Sequence, residues 1–137
     1  MKKVFWVMVV CMILVLVAGT QGIADDGVAP CYEDTASVTA TLSITGGVAN
    51  CGGSVKPGSS TSSATVSVRL QRKDAGSWTT MATWTGNSSS GYKASASGSK
   101  AVASGYSYRV YVTGVVRNAN GVVIERPNKT SREIAYL

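Results

Sequence analysis

Apolar and polar side chains alternate along most of the chain. Between Ala36 and Thr45, Val38, Ala40, Leu42 and Ile44 fall on one face, and Ser37, Thr39, Thr41, Ser43 and Thr45 fall on the other. A period of two marks a half-buried strand. The same period runs through Ala64, Val66, Val68 and Leu70, set against Thr65, Ser67, Arg69 and Gln71. Turn chemistry follows at Lys73–Ser77, where Asp74 can bond its own backbone and Gly76 supplies positive φ. The return segment SWTTMATW has Trp78, Met81 and Trp84 at helical spacing, but its three threonines, with Thr85 next to them, favour a strand. As a regular strand it carries Trp78, Thr80, Ala82 and Trp84 on one face and Met81 on the other. A bulge would change that split.

Further on, Tyr108, Val110 and Val112 alternate with Arg109, Tyr111 and Thr113. Asn118–Gly121 supplies a hairpin turn, with Asn-Gly as its strongest element. Val122–Ile124 then returns, and Pro127 breaks the ladder, which assigns that strand to an edge. Ile134 and Tyr136 face one way in a final short strand. Two segments are weaker. Gly46–Ser63 reads as a Gly/Ser-rich connection with one short edge strand around Cys51–Val55. Tyr92–Ser104 reads as a small-residue strand region, either one strand or two divided around Gly98-Ser99. About seven short strands with no helix predict an all-β protein, an antiparallel β-sandwich, with a barrel as the alternative.

The N-terminus departs from this pattern. Lys2 and Lys3 precede an unbroken apolar run, Val4–Ala18, and Gly22-Ile23-Ala24 offers small residues where a signal peptidase reads. This is the three-part form of a secretory leader. The rival is an uncleaved anchor, but a span needs about 20 apolar residues, and Gly19–Gly22 interrupts this run first. The expected organisation is a signal peptide at 1–24, a tail at 25–34 and the sandwich domain at 35–137, secreted or displayed at the cell surface. The leader is short, as in bacteria, so the glycan-acceptor patterns at Asn87 and Asn128 carry little weight.

Cleavage removes Lys2 and Lys3, which lowers the formal net charge of +6 to about +4. The remaining cations are scattered, and the adjacent pair Arg72-Lys73 is followed at once by Asp74. Nucleic acid would require a denser basic stripe, so no nucleic-acid partner is expected, and membrane contact only through the leader. Cys11 leaves with the leader. Cys31 and Cys51 remain, an even pair in an exported chain, and they predict one disulfide. It would close a loop of about 20 residues, worth roughly 3 kcal/mol in the chain-entropy model.

The stretch SGYSYRVYV resembles the sixth strand of fibronectin type III and related immunoglobulin-like modules: a small-residue turn, a tyrosine, then alternating valines. That resemblance implies that Tyr108 is a tyrosine corner, its hydroxyl bonded to backbone a few residues upstream. The chain departs from the fibronectin module in having no tryptophan on Ser63–Leu70. Over almost its whole length, through TATLSITGG, VRLQRKDAGSWTTMATWTG, GYSYRVYVTGVV, NANG and TSREIAY, it also resembles a group of small exported proteins of unknown function from Gram-positive spore-formers. That second resemblance implies an extracellular address and an Ig-like fold. It implies no activity.

The inventory argues against catalysis. The chain has no histidine, so the Ser-His and Cys-His pairs are excluded. Two thiolates make no closed zinc site. Asp25-Asp26 and Glu33-Asp34 read as solvated tail charges rather than a calcium site, and Asp74 sits in a turn. No cofactor and no enzymatic activity are expected. Two function classes stay open. One is a binding domain for an extracellular protein or glycan, with Arg72, Lys73, Trp78 and Trp84 as its candidate contacts, since Trp and Arg dominate binding hot spots. The other is a structural protein that assembles through exposed strand edges. The competing assignment for Trp78 and Trp84 is that they fill the core.

Overall fold

The computed structural model describes residues 32–137. The leader, residues 25–30 of the tail and Cys31 lie outside the described residues. Nine strands follow one another: β1 (Thr35–Thr45), β2 (Val48–Pro57), β3 (Ser63–Asp74), β4 (Ser77–Asn87), β5 (Ala94–Ala101), β6 (Tyr106–Arg117), β7 (Val123–Glu125), β8 (Asn128–Thr130) and β9 (Ile134–Tyr136). All pairings are antiparallel. The smaller sheet has the order β1-β2-β5. The larger has the order β4-β3-β6-β7, with β8 and β9 also paired to β6. The protein is an all-β sandwich.

Two-residue turns set the register of both long hairpins. Gly46 and Gly47 have φ of 58° and 76°, and Ala75 and Gly76 have φ of 49° and 84°. Positive φ at both central positions gives a turn whose twist matches that of the flanking strands. The alternation read from the sequence holds on β1, β3 and β6. Leu42, Val66, Val68, Leu70, Val110, Val112 and Val116 all point into the layer between the sheets and are buried.

β2 departs from expectation. The sequence predicts a short edge strand, whereas β2 runs for ten residues and lies in the middle of the smaller sheet. Its Gly52-Gly53 pair looks like turn chemistry but serves close packing. A Cβ at Gly53 would press on the methyl groups of Val68 and Val112 from the opposite sheet. β5 is a single strand, and Gly98 lies within it because the Trp84 indole rests on its backbone, where a Cβ would overlap the ring.

The final edge strand is broken into β7, β8 and β9, each paired to a different part of β6. Pro127 makes the first break, and its carbonyl still accepts the Gly114 N–H at 2.8 Å. Glu125 on β7 ties down the start of β1. Its Oε2 accepts the Asp34 N–H at 2.7 Å and the Thr35 hydroxyl at 3.0 Å. The Asn128 N–H donates to the Tyr32 hydroxyl at 3.0 Å.

Tyr108 closes one end of the core. It is 1% exposed, and its hydroxyl donates to the Ala103 carbonyl, five residues upstream, at 2.7 Å. Burial raises its phenol above the ordinary value. Cys51 is 4% exposed, on the core side of β2 opposite Leu42 and Gly98. Burial pushes its thiol up to about 11. The expected Cys31–Cys51 bond falls in part on Cys31, outside the described residues.

Candidate functional site

The β3–β4 hairpin separates the residues that the sequence places together. β4 carries a bulge opposite the Leu70/Gln71 step, where Leu70 pairs with Ala82 and Gln71 with Thr80, leaving Met81 unpaired. An extra residue reverses the facing of everything beyond it. Trp84, opposite Val68, therefore turns inward and packs against the core over Gly98. Trp78, opposite Lys73, turns outward. The shared face expected for Trp78, Thr80, Ala82 and Trp84 does not form, and Trp84 is a packing residue rather than a surface contact.

Arg72 and Lys73 are divided in the same way. Arg72 lies on the inner side, opposite Tyr108, at the open rim of the sandwich. Its guanidinium stands 4.3 Å over the Tyr106 ring, and its Nε donates to Asp74 at 3.0 Å. That interaction raises its already high pKa further. Tyr106 in turn meets Tyr108 edge-on at 6.5 Å. Arg72 thus completes a rim cluster. Lys73 points outward, with its ammonium 5.8 Å from the Trp78 ring and 3.8 Å from Glu133.

On the outer face of the larger sheet, Trp78 meets Arg109 of β6, which in turn reaches Tyr111 on the same strand. The Arg109 guanidinium lies 4.2 Å over the Trp78 ring and 6.0 Å from the Tyr111 ring. Gln71 holds it from below. The Arg109 Nε donates to Gln71 Oε1 at 2.8 Å, and Gln71 Nε2 donates to Thr80 Oγ1 at 3.4 Å. The result is a ladder, Lys73–Trp78–Arg109–Tyr111, of alternating cation and ring. Cation–π stacking and one hydrogen bond fix the plane of Arg109 while its two terminal amino groups remain for a ligand. The signal for this cluster was present: Arg109, Tyr111 and Thr113 have the outward phase of β6. What the sequence lacks is the bulge that turns Trp78 to meet them.

Next to the ladder an open groove of about 490 Å³ runs along the same face. Arg69, Tyr111, Thr113, Arg126 and Asn128 are among the residues that line it. Arg69 reaches Thr113 Oγ1 only at 3.5 Å. Among the described residues, no three His, Cys, Asp or Glu side chains converge as a metal site would require.

No family model matches the chain, and neither does any curated protein. Among solved structures it is similar to Bacteroides uniformis beta-glucuronidase 2 covalently bound to cyclophellitol-6-carboxylate aziridine, at 16% identity and a TM-score of 0.43. The match covers 72% of this chain and 13% of the enzyme, and at that level of similarity it transfers neither site nor activity.

Proposed function

We propose that this chain is an exported, non-catalytic binding domain of the fibronectin type III-like class, and that it holds an extracellular glycan on the outer face of its larger sheet. The class is supported by the strand order, β1-β2-β5 against β4-β3-β6-β7, and by the Tyr108 hydroxyl bonded to backbone five residues upstream, as in a tyrosine corner. Export is supported by the leader pattern at 1–24. The observation that carries the binding reading is the Arg109 guanidinium, stacked on Trp78 and bonded to Gln71. A donor fork held flat on a rigid sheet loses little entropy when it binds, and that is how a surface gains affinity.

The test is binding of the mature domain to whole cells, wall fragments and a glycan panel. Arg109→Ala and Trp78→Ala should lose binding while each still unfolds cooperatively in urea, with no more than about 1 kcal/mol of stability lost. No binding by the wild type to any glycan would end this reading.

Assembly through strand edges is a second reading, favoured by β1. It is an edge strand of eleven residues with no charged side chain and no proline, and its only irregularity lies at the Thr35/Ser37 end. Such an edge lacks the usual guards against pairing. Sedimentation across rising concentration, with Thr41→Lys as the guarded variant, would reveal it.

A further inference from the structure

We propose that the groove beside the ladder is an acid-reading subsite, and that it accepts the carboxylate, phosphate or sulfate groups of an acidic polysaccharide. The inference rests on the binding reading above and names the ligand's chemistry. Its basis is where charge lies among the described residues. The groove draws a guanidinium from each of two separate segments: Arg69 from β3 and Arg126 from the link between β7 and β8. No acidic side chain lines it. Three of the five carboxylate side chains among the described residues have partners of their own. Asp74 holds Arg72, Glu133 faces Lys73, and Glu125 accepts from Asp34 and Thr35. Among the described residues, neither Arg69 nor Arg126 forms an ion pair. Two guanidiniums without an ion pair on one concave surface raise the local potential and favour an anion. Their planar forks match carboxylate and phosphate oxygens two at a time.

The rest of the lining suits a sugar more than a peptide. Thr65, Ser67, Thr113 and Asn128 supply short donors and acceptors, and Tyr111 supplies a ring wall shared with the ladder. The floor is rigid. It is β3 and β6 backbone, with buried Pro127 beside it, whose carbonyl holds Gly114. A volume of about 490 Å³ lies within the range of small-ligand sites. Because the groove is open, an internal residue of a chain can lie in it with both ends leading out.

The experiment measures binding of the mature domain to polygalacturonate, phosphorylated dextran, dextran sulfate, neutral dextran and poly-glutamate, at low and high salt. The double variant Arg69→Gln/Arg126→Gln is compared with Lys56→Gln/Lys100→Gln, which removes the same charge from the smaller sheet. Wild type should bind at least one acidic polysaccharide, and which of the three it prefers identifies the acid group. The groove variant should lose more than about tenfold in affinity. The control should keep wild-type affinity, and added salt should weaken wild type more than the groove variant. Equal loss in both variants would reduce the effect to net charge and overturn the subsite. Binding of neutral dextran as tight as that of the acidic polymers would also overturn the subsite, while the glycan-binding reading survived. Binding of poly-glutamate as tight as that of the polysaccharides would replace the sugar with an acidic protein. If no polysaccharide of either kind binds, the binding reading falls and the subsite falls with it.

Discussion

The outer face of the smaller sheet is a field of short hydroxyls. Ser37, Thr39, Thr41, Ser43 and Thr45 on β1 are followed by Asn50 and Ser54 on β2 and by Ser95, Ser97 and Ser99 on β5. These groups satisfy one another. Thr39 and Ser54 share a hydrogen bond of 2.6 Å, and Ser99 donates to Asn50 at 2.8 Å. The outer face of the larger sheet instead presents Arg69, Gln71, Lys73, Trp78, Arg109 and Tyr111. Both sheets cover the same core with the same alternation, so the fold does not require the difference. An outward strand position is adequately filled by serine or threonine, as the smaller sheet demonstrates. Ordering arginine and lysine costs side-chain entropy that short hydroxyls do not lose. The ladder therefore exceeds what folding needs, and this excess is the reason to look for function there.

The largest effect that tests this contrast is between the two tryptophans. Trp84→Ala should lose about 3 kcal/mol, since it empties the inner side of the β4–β5 corner above Gly98. Trp78→Ala should lose only about 1 kcal/mol, the worth of its stacked cations. Urea melts of the two variants decide it. Equal losses would mean that Trp78 belongs to the core and that the outer face is a packing device.

Next in size is Tyr108→Phe, which removes a buried hydroxyl and leaves the Ala103 carbonyl without its donor. The expected cost is about 1–2 kcal/mol. Tyr106→Phe keeps its ring under Arg72 and should stay near wild type. pH separates these further. The folded-state pKa of Tyr108 is raised, first by desolvation. Its contribution is therefore fully present below the unfolded phenol value of about 10, and it is lost as pH rises through the higher folded value. Tyr108→Phe should lack that alkaline decline. An alkaline decline equal to wild type in Tyr108→Phe would assign it to another group.

Much of the fold was legible because β1, β3 and β6 bury one face and expose the other, and a period of two records that directly. The smaller sheet was harder to read. Gly52-Gly53 and Gly98 look like breaks in a sequence, yet they are strand positions where a neighbour's side chain occupies the space of a Cβ. The site was half legible. Trp78 and Lys73 were found by residue type, and Arg109 and Tyr111 have the right phase. The Met81 bulge leaves no mark in an alternating threonine-rich segment, so Trp84 and Trp78 read as one face. Arg126 follows a three-residue strand, too short for its phase to be read, and only the fold brings it beside Arg69.

The smallest expected effects lie on the hydroxyl face, and they sharpen the comparison most directly. Thr39→Val keeps shape and β-propensity but removes one partner of the Thr39–Ser54 bond. Ser54 is 6% exposed, so its hydroxyl loses a partner where water barely reaches, and about 1 kcal/mol should be lost. Thr41→Val removes only a long 3.4 Å contact to the Gly52 carbonyl from an exposed position. It should change stability by less than about 0.5 kcal/mol. Neither variant touches the ladder or the groove, so both should bind wall fragments and acidic polysaccharides as wild type does. Loss of binding in Thr41→Val, with an unchanged urea midpoint, would move the recognition surface to the smaller sheet and reverse the contrast between the two faces.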